Sequence, residues 1–123
     1  MIDYGYLEPN NQNTLQSVMN HKKNSLLNNL GKADITSHVN FKLLNEFFIK
    51  NNLDVKKIIS QQKFLKNMGI IERAEIISKK MKFRDKSNVY LRIKRLLSTS
   101  LMGELFKVIL VYKSKSNKFF GFN

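Results

Sequence analysis

Ala33-Asp34-Ile35-Thr36-Ser37-His38-Val39-Asn40-Phe41 places an acid, a hydroxyl, an imidazole and a carboxamide side by side. An apolar-periodic run from Phe41 to Ile49 follows at once. Phe41, Leu44, Phe47 and Phe48 recur at helical spacing, and Leu43 and Ile49 widen the stripe. Small polar groups just ahead of a helix are where α/β folds carry ligand-facing loops. Asn40 also reads as an N-cap, because its side chain can accept a bond from a free N–H of the first turn. The stretch is therefore a site, a helix start, or both.

Upstream, Met1 to Tyr6 reads M-I-D-Y-G-Y, the carboxyl end of a buried parallel strand at about residues 1–4. Strands usually need about 5–6 residues, so either the chain begins at a frayed edge or its start has been cut from something larger. Pro9 with Asn10-Asn11 predicts a turn. Thr14 to Lys22 reads as extended or irregular. Downstream, the pattern predicts a helix over about 40–51 and a β-branched strand over about 53–59. Ser60 then caps a short helix over 61–68, and Gly69 stops it. Ile70, Ala74, Ile77 and Met81 predict a helix over 70–81. Phe83 to Ser87 reads as a polar break. Val89, Ile93, Leu96 and Leu97 point a further helix, 88–97, inward. The dense apolar run 104–112 predicts a strand covered on both faces. Residues 114–123 are expected to be a loose basic tail ending in Phe119, Phe120 and Phe122. The order of elements is α/β.

The chain has 123 residues, enough for one domain, and 42% of them are apolar, which excludes wholesale disorder. It has no cysteine and two histidines, His21 and His38, with no metal-ligand spacing around either. Disulfide frameworks and Cys nucleophiles are excluded. No basic and apolar leader follows Met1, so no secretory signal is expected. The longest apolar run, Val108 to Tyr112, is far short of a membrane span, so a soluble protein is expected. The formal charge is +13, and eight basic residues fall between Lys79 and Arg95 against Asp85 alone. Such a cluster is either an anion-binding surface or a solvated face.

The succession Ile2-Asp3-Tyr4-Gly5-Tyr6, Thr14-Leu15-Gln16, His21, and Ala33 to Phe41 resembles the MidA-type S-adenosylmethionine-dependent methyltransferases. These are related to the mitochondrial complex I assembly factor that methylates a protein arginine. Gln61-Gln62-Lys63-Phe64-Leu65, Gly69-Ile70-Ile71-Glu72-Arg73 and Met102-Gly103-Glu104-Leu105-Phe106-Lys107-Val108 agree in the same order, so the resemblance covers roughly residues 2–112. It implies that residues 1–113 are the C-terminal part of a Rossmann-like class I methyltransferase fold. It implies S-adenosylmethionine as cofactor, a protein substrate that is a complex I subunit, and a separate N-terminal half as partner. The implied setting is the bacterial cytoplasm or the mitochondrial matrix, without membrane insertion or nucleic acid. Two features depart from the family. Asn40 stands where the family usually has Asp, which keeps the cap and loses the charge. No Gly-rich strand–loop–helix with a downstream acid is present, so no cofactor-binding residue is expected here. Alone, the chain is expected to bind no cofactor and to be inactive.

The residues carrying the resemblance include six pocket candidates: Asp3, Tyr4, Tyr6, Asp34, Thr36 and His38. The resemblance implies that Asp3 and the tyrosines line a target-arginine pocket, because a carboxylate accepts paired bonds from a guanidinium. Asp34, Thr36 and His38 would form a polar wall, with Asp34 orienting the guanidinium or His38. The competing reading makes them loop and packing residues. Methyl transfer chiefly requires placing the acceptor in line and removing water, which a set without metal or nucleophile can serve. Two alternatives remain: a small basic nucleic-acid module built on Lys79–Arg95, and the interaction half of a split methyltransferase.

Overall fold

A computed structural model describes residues 1–8, 13–115 and 118–123. The turn expected at Pro9-Asn10-Asn11 lies outside them. The chain begins with β1 (Ile2–Tyr6), β2 (Gln16–Met19), β3 (Lys22–Asn24), β4 (Asp34–Thr36) and β5 (Val39–Asn40), and then enters α1 (Phe41–Lys50). Next come β6 (Asp54–Val55), β7 (Ile59–Ser60), α2 (Gln61–Asn67), α3 (Ile70–Ser78) and α4 (Phe83–Leu97). A short α5 (Met102–Leu105) leads to β8 (Phe106–Val108) and β9 (Val111–Tyr112). The expected α/β class holds.

The main sheet runs β5-β1-β8-β7. β1 is central, parallel to β5 with Gly5 opposite Val39 and Tyr6 opposite Asn40. On its other side it is antiparallel to β8, with Asp3 opposite Lys107 and Tyr4 opposite Phe106. The reading of Met1 to Tyr6 as a parallel strand is thus right on one side only.

Gly5 explains how α1 closes on the sheet. A Cβ there would collide with the Val39 carbonyl oxygen and stand 2.8 Å from the Phe41 ring. Only glycine lets β1 approach the start of α1 this closely. Phe41 is 0% exposed, and Val108 and Ile109 are the other buried apolar residues described. Full burial of a Phe side chain stabilises by about 1.5–3 kcal/mol, so this contact anchors a small core. Asn40 caps α1 as expected, its Oδ1 accepting from Leu43 N at 3.0 Å. Phe47, expected inward, is 56% exposed.

The strand expected over 53–59 is divided, and so is the one over 104–112. Asp54 pairs with Tyr112 and Val55 with Val111, Lys56 N donates to Leu110 O at 3.0 Å, and Ile59 pairs with Val108. Four steps on one strand match three on the other, which makes a β-bulge. The two segments are one bent antiparallel ladder that passes from the main sheet to a second, two-stranded one. Residues 102–105 leave it to form α5, because Gly103 rests on the end of α4. Gly103 N donates to Ser98 O at 2.9 Å, and a Cβ would collide with the Leu97 carbonyl.

Two helix bounds are corrected, while of the two readings of Thr14 to Lys22 the extended one holds: β2, β3 and β4 form an antiparallel sheet. Asn20 and His21 make its first turn with φ of 51° and 60°, the left-handed pair that a two-residue hairpin requires. The break at Phe83–Ser87 is the first turn of α4, carrying Asp85 where the helix dipole favours an acid. Helix α3 ends at Ser78 rather than at residue 81.

Helix α2 starts on the Ser60 cap, with Lys63 N donating to Oγ, and Gly69 follows it at φ 75°. Gln61 is buried, and its amide donates to Leu96 O at 3.0 Å; that of Gln62 donates to Leu97 O at 2.8 Å. These adjacent amides satisfy carbonyls left open at the end of α4. Residues 118–123 of the tail expected to be loose are held. The Phe122 ring lies 5.4 Å from Phe64, and Asn67 Nδ2 donates to the carbonyls of Gly121 and Asn123. No described helix is long and apolar enough to cross a membrane.

Candidate functional site

β1 and β5 are parallel and end together at Tyr6 and Asn40, beside the start of α1. Carboxyl ends of parallel strands are where open α/β sheets present their chemistry. Side chains alternate along a strand, so Tyr4 and Tyr6 share one face of β1, while Asp3 and Gly5 share the face under α1.

Tyr4 is the centre of the first face. Its ring meets His38 edge-on, with centroids 5.5 Å apart and planes at 67°. It meets Phe106 of β8 in the same way, at 5.5 Å and 81°. His38 sits immediately before β5, which brings it level with Tyr4. Its backbone N donates to Thr14 Oγ1 at 3.1 Å, tying the entry of β5 to the residue just ahead of β2. Tyr4, Tyr6 and His38 therefore lie together.

The other three candidates lie apart from them. Asp3 is half-buried on the opposite face, and its Oδ1 accepts from Tyr4 N at 2.8 Å. Its register partner Lys107 pairs instead with Glu104, Nζ to Oε2 at 3.4 Å. Among the described residues Asp3 has no ion pair. Asp34 is exposed on β4 opposite Val18, and no hydrogen bond joins it to His38 among the described residues. The expected use of Asp34 to orient His38 is absent from this arrangement. Thr36 stands opposite Gln16. Its Oγ1 is buried with no hydrogen-bond partner among the described residues, an arrangement that costs about 1–3 kcal/mol.

Thr14 and Phe106 were not among the six candidates, although both fall in segments that carry the resemblance. No local signal marks Thr14, because its partner His38 is distant in sequence. Phe106 reads as an ordinary apolar strand residue until β8 pairs with β1. His21, by contrast, serves the β2–β3 turn. Arranged in this way, Tyr4, Tyr6 and His38 can present an aromatic, hydrogen-bonding wall to a flat or cationic group.

Residues 1–59 match the family model described as "Putative S-adenosyl-L-methionine-dependent methyltransferase". An uncharacterized superfamily protein from Burkholderia thailandensis is similar over 99% of this chain, with 26% identity and a TM-score of 0.81. A second member of that superfamily from the same organism, a "likely methyl transferase" bound to S-adenosyl-homocysteine, is similar at 26% identity and a TM-score of 0.76 over 99% of the chain. The chain spans about a third of the length of each, 32% and 31%. These matches support a methyltransferase-like α/β fold and a family whose cofactor is S-adenosyl-L-methionine. The glycines here do not form that cofactor's cradle. The Cβ positions of Gly5, Gly103 and Gly121 are filled by protein atoms, Gly69 joins two helices, and Gly31 lies in a turn region ahead of β4.

Proposed function

We propose that this chain supplies the acceptor side of an S-adenosyl-L-methionine-dependent methyltransferase, beside a cofactor-binding part contributed by the rest of the enzyme. The observation that carries the proposal is the Tyr4–His38 pair at the parallel β1–β5 junction, in a fold shared with a protein that binds S-adenosyl-homocysteine. The methyl donor is the family's cofactor. The residues of this chain bind and orient the acceptor and shield it from water.

The resemblance of its motifs to MidA-type enzymes supports a protein arginine as acceptor, in assembly of respiratory complex I. The chemistry of the wall is compatible with that choice. A guanidinium is planar and weakly hydrated, and it stacks on aromatic faces such as those of Tyr4 and Tyr6. Asp3 lies on the opposite face of β1, so this wall would hold the guanidinium by its rings, and the carboxylate that pairs with it would come from the rest of the enzyme. Asp34, exposed on β4, would meet the substrate chain around the arginine. The same resemblance supports work in the bacterial cytoplasm or the mitochondrial matrix.

A graft tests this reading. Residues 1–123 replace the matching third of the Burkholderia relative that binds S-adenosyl-homocysteine. The graft should bind that ligand by calorimetry and methylate arginine in a protein substrate, read by mass spectrometry. Tyr4→Phe and His38→Ala should lower transfer with ligand affinity retained. The isolated chain should bind no S-adenosylmethionine. Detectable binding by the isolated chain, or unchanged transfer in both variants, overturns the assignment.

A further inference from the structure

Helices α3 and α4 lie side by side and enclose a groove of about 700 Å³, whose apolar wall includes Ile71, Val89, Tyr90 and Ile93. Neither helix buries a single residue completely. Tyr90 is 65% exposed and Phe83, at the start of α4, is 86% exposed. Lys66, Lys86 and Lys94 also line the groove, against Glu75 as its one acid. Between Lys79 and Arg95 eight basic residues face Asp85 alone. None of them is in a described ion pair, since the one found joins Lys107 to Glu104.

An occupant of this groove must bring apolar side chains for its wall and negative charge for its lysines. A second copy is disfavoured, because it would set one +13 chain against another. A nucleic-acid backbone would satisfy the lysines and leave the aliphatic wall of Ile71, Val89 and Ile93 wet. A bilayer surface does not fill a concave site. A helix with an apolar stripe and acidic flanks satisfies both demands, by the helix-in-groove mode. At a 1.5 Å rise per residue, α3 and α4 are about 14 Å and about 22 Å long, which suits a helix of about 10–15 residues.

We propose that the α3–α4 groove is a docking site for an acidic amphipathic helix of a partner protein. The inference is independent of the methyltransferase reading. The test uses the whole chain and a fluorescein-labelled helical peptide with Leu at every third or fourth position and Glu between, followed by anisotropy. Binding should be saturable. It should weaken about tenfold or more in Lys86→Glu/Lys94→Glu, as expected where charge complementarity sets partner choice, and likewise in Tyr90→Asp. Lys22→Glu/Lys23→Glu on β3 should leave it unchanged, and circular dichroism should show the same helix content in every variant. A scrambled peptide of equal composition, or a single-stranded oligonucleotide of equal charge, should bind more weakly. Equal or tighter binding of either means a polyanion surface and overturns the proposal. So does the absence of any peptide binding, or an effect of the β3 reversal equal to that on α4.

Discussion

The rings of Tyr4 and His38 meet in a T-shaped pair with centroids 5.5 Å apart, across a pair of strands whose members are separated in sequence by the whole of the β2–β4 sheet. An aromatic pair of this geometry contributes about 0.5–1.5 kcal/mol beyond the area it buries. Tyr4 makes two such pairs, so Tyr4→Ala should lower unfolding stability by about 2–4 kcal/mol. Tyr4→Phe keeps both rings and should stay within about 0.5 kcal/mol of the parent. Urea midpoints of the two variants separate packing from the hydroxyl. A Phe variant as unstable as the Ala variant would contradict the geometry.

Gly5→Ala drives a methyl into the Val39 carbonyl and the Phe41 ring. Overpacking of this kind costs about 1–3 kcal/mol or more. Because backbone is among the obstructing atoms, the upper end is expected. Gly31→Ala, with nothing near its Cβ, is the comparison. It carries only the cost of its positive φ, about 1–2 kcal/mol. Thermal melts should rank Gly5→Ala as the less stable.

Asn40→Ala removes the bond to Leu43 N and should cost about 1 kcal/mol. Asn40→Asp keeps that bond and adds negative charge to a first turn that has none. It should gain about 0.3–1 kcal/mol at low ionic strength. The gain should shrink in high salt, which denaturation at two salt concentrations can read.

Gln61→Ala leaves the Leu96 carbonyl without its partner beneath a buried position, and should cost about 1–3 kcal/mol. Gln62→Ala, less buried, should cost less. Hydrogen exchange should localise both losses to the last turn of α4. Protection lost evenly along the helix would speak against this linkage.

Thr36→Val replaces the buried Oγ1, which has no hydrogen-bond partner among the described residues, with a methyl of similar shape. Stability should be unchanged or rise by about 1 kcal/mol, since nothing is left unsatisfied. A fall in the urea midpoint would mean that the hydroxyl has a partner in solution.

The caps were legible in the sequence because capping is local. Asn40, Ser60 and Gly69 act within a few residues of themselves, and each does what its chemistry predicts. The β2–β4 sheet was hidden for the opposite reason. Q-S-V-M, K-K-N and D-I-T carry little alternation, and Asn20-His21 turns the hairpin without the usual glycine. Helix α4 was read five residues short because its first turn is exposed and so carries no apolar stripe. Of the candidate residues, Tyr4, Tyr6 and His38 come together in the fold. That Asp3 faces the other way follows from strand alternation once β1 is known to extend to Tyr6. Thr14 and Phe106 depend on long-range pairing that no local pattern encodes.

The β2–β4 sheet leaves the main sheet after β1 and returns to it at β5. Closing a longer or shorter chain between two fixed strands changes the free energy slowly, by about 0.6 kcal/mol per doubling of length. The segment between Thr14 and His38 can therefore be exchanged as a cassette while the β1–β5 pairing and the Gly5–Phe41 anchor stay in place. Relatives of one framework could in this way diversify what they hold against the Tyr4 face, and the point of attachment to preserve in such a swap is the bond from His38 to Thr14.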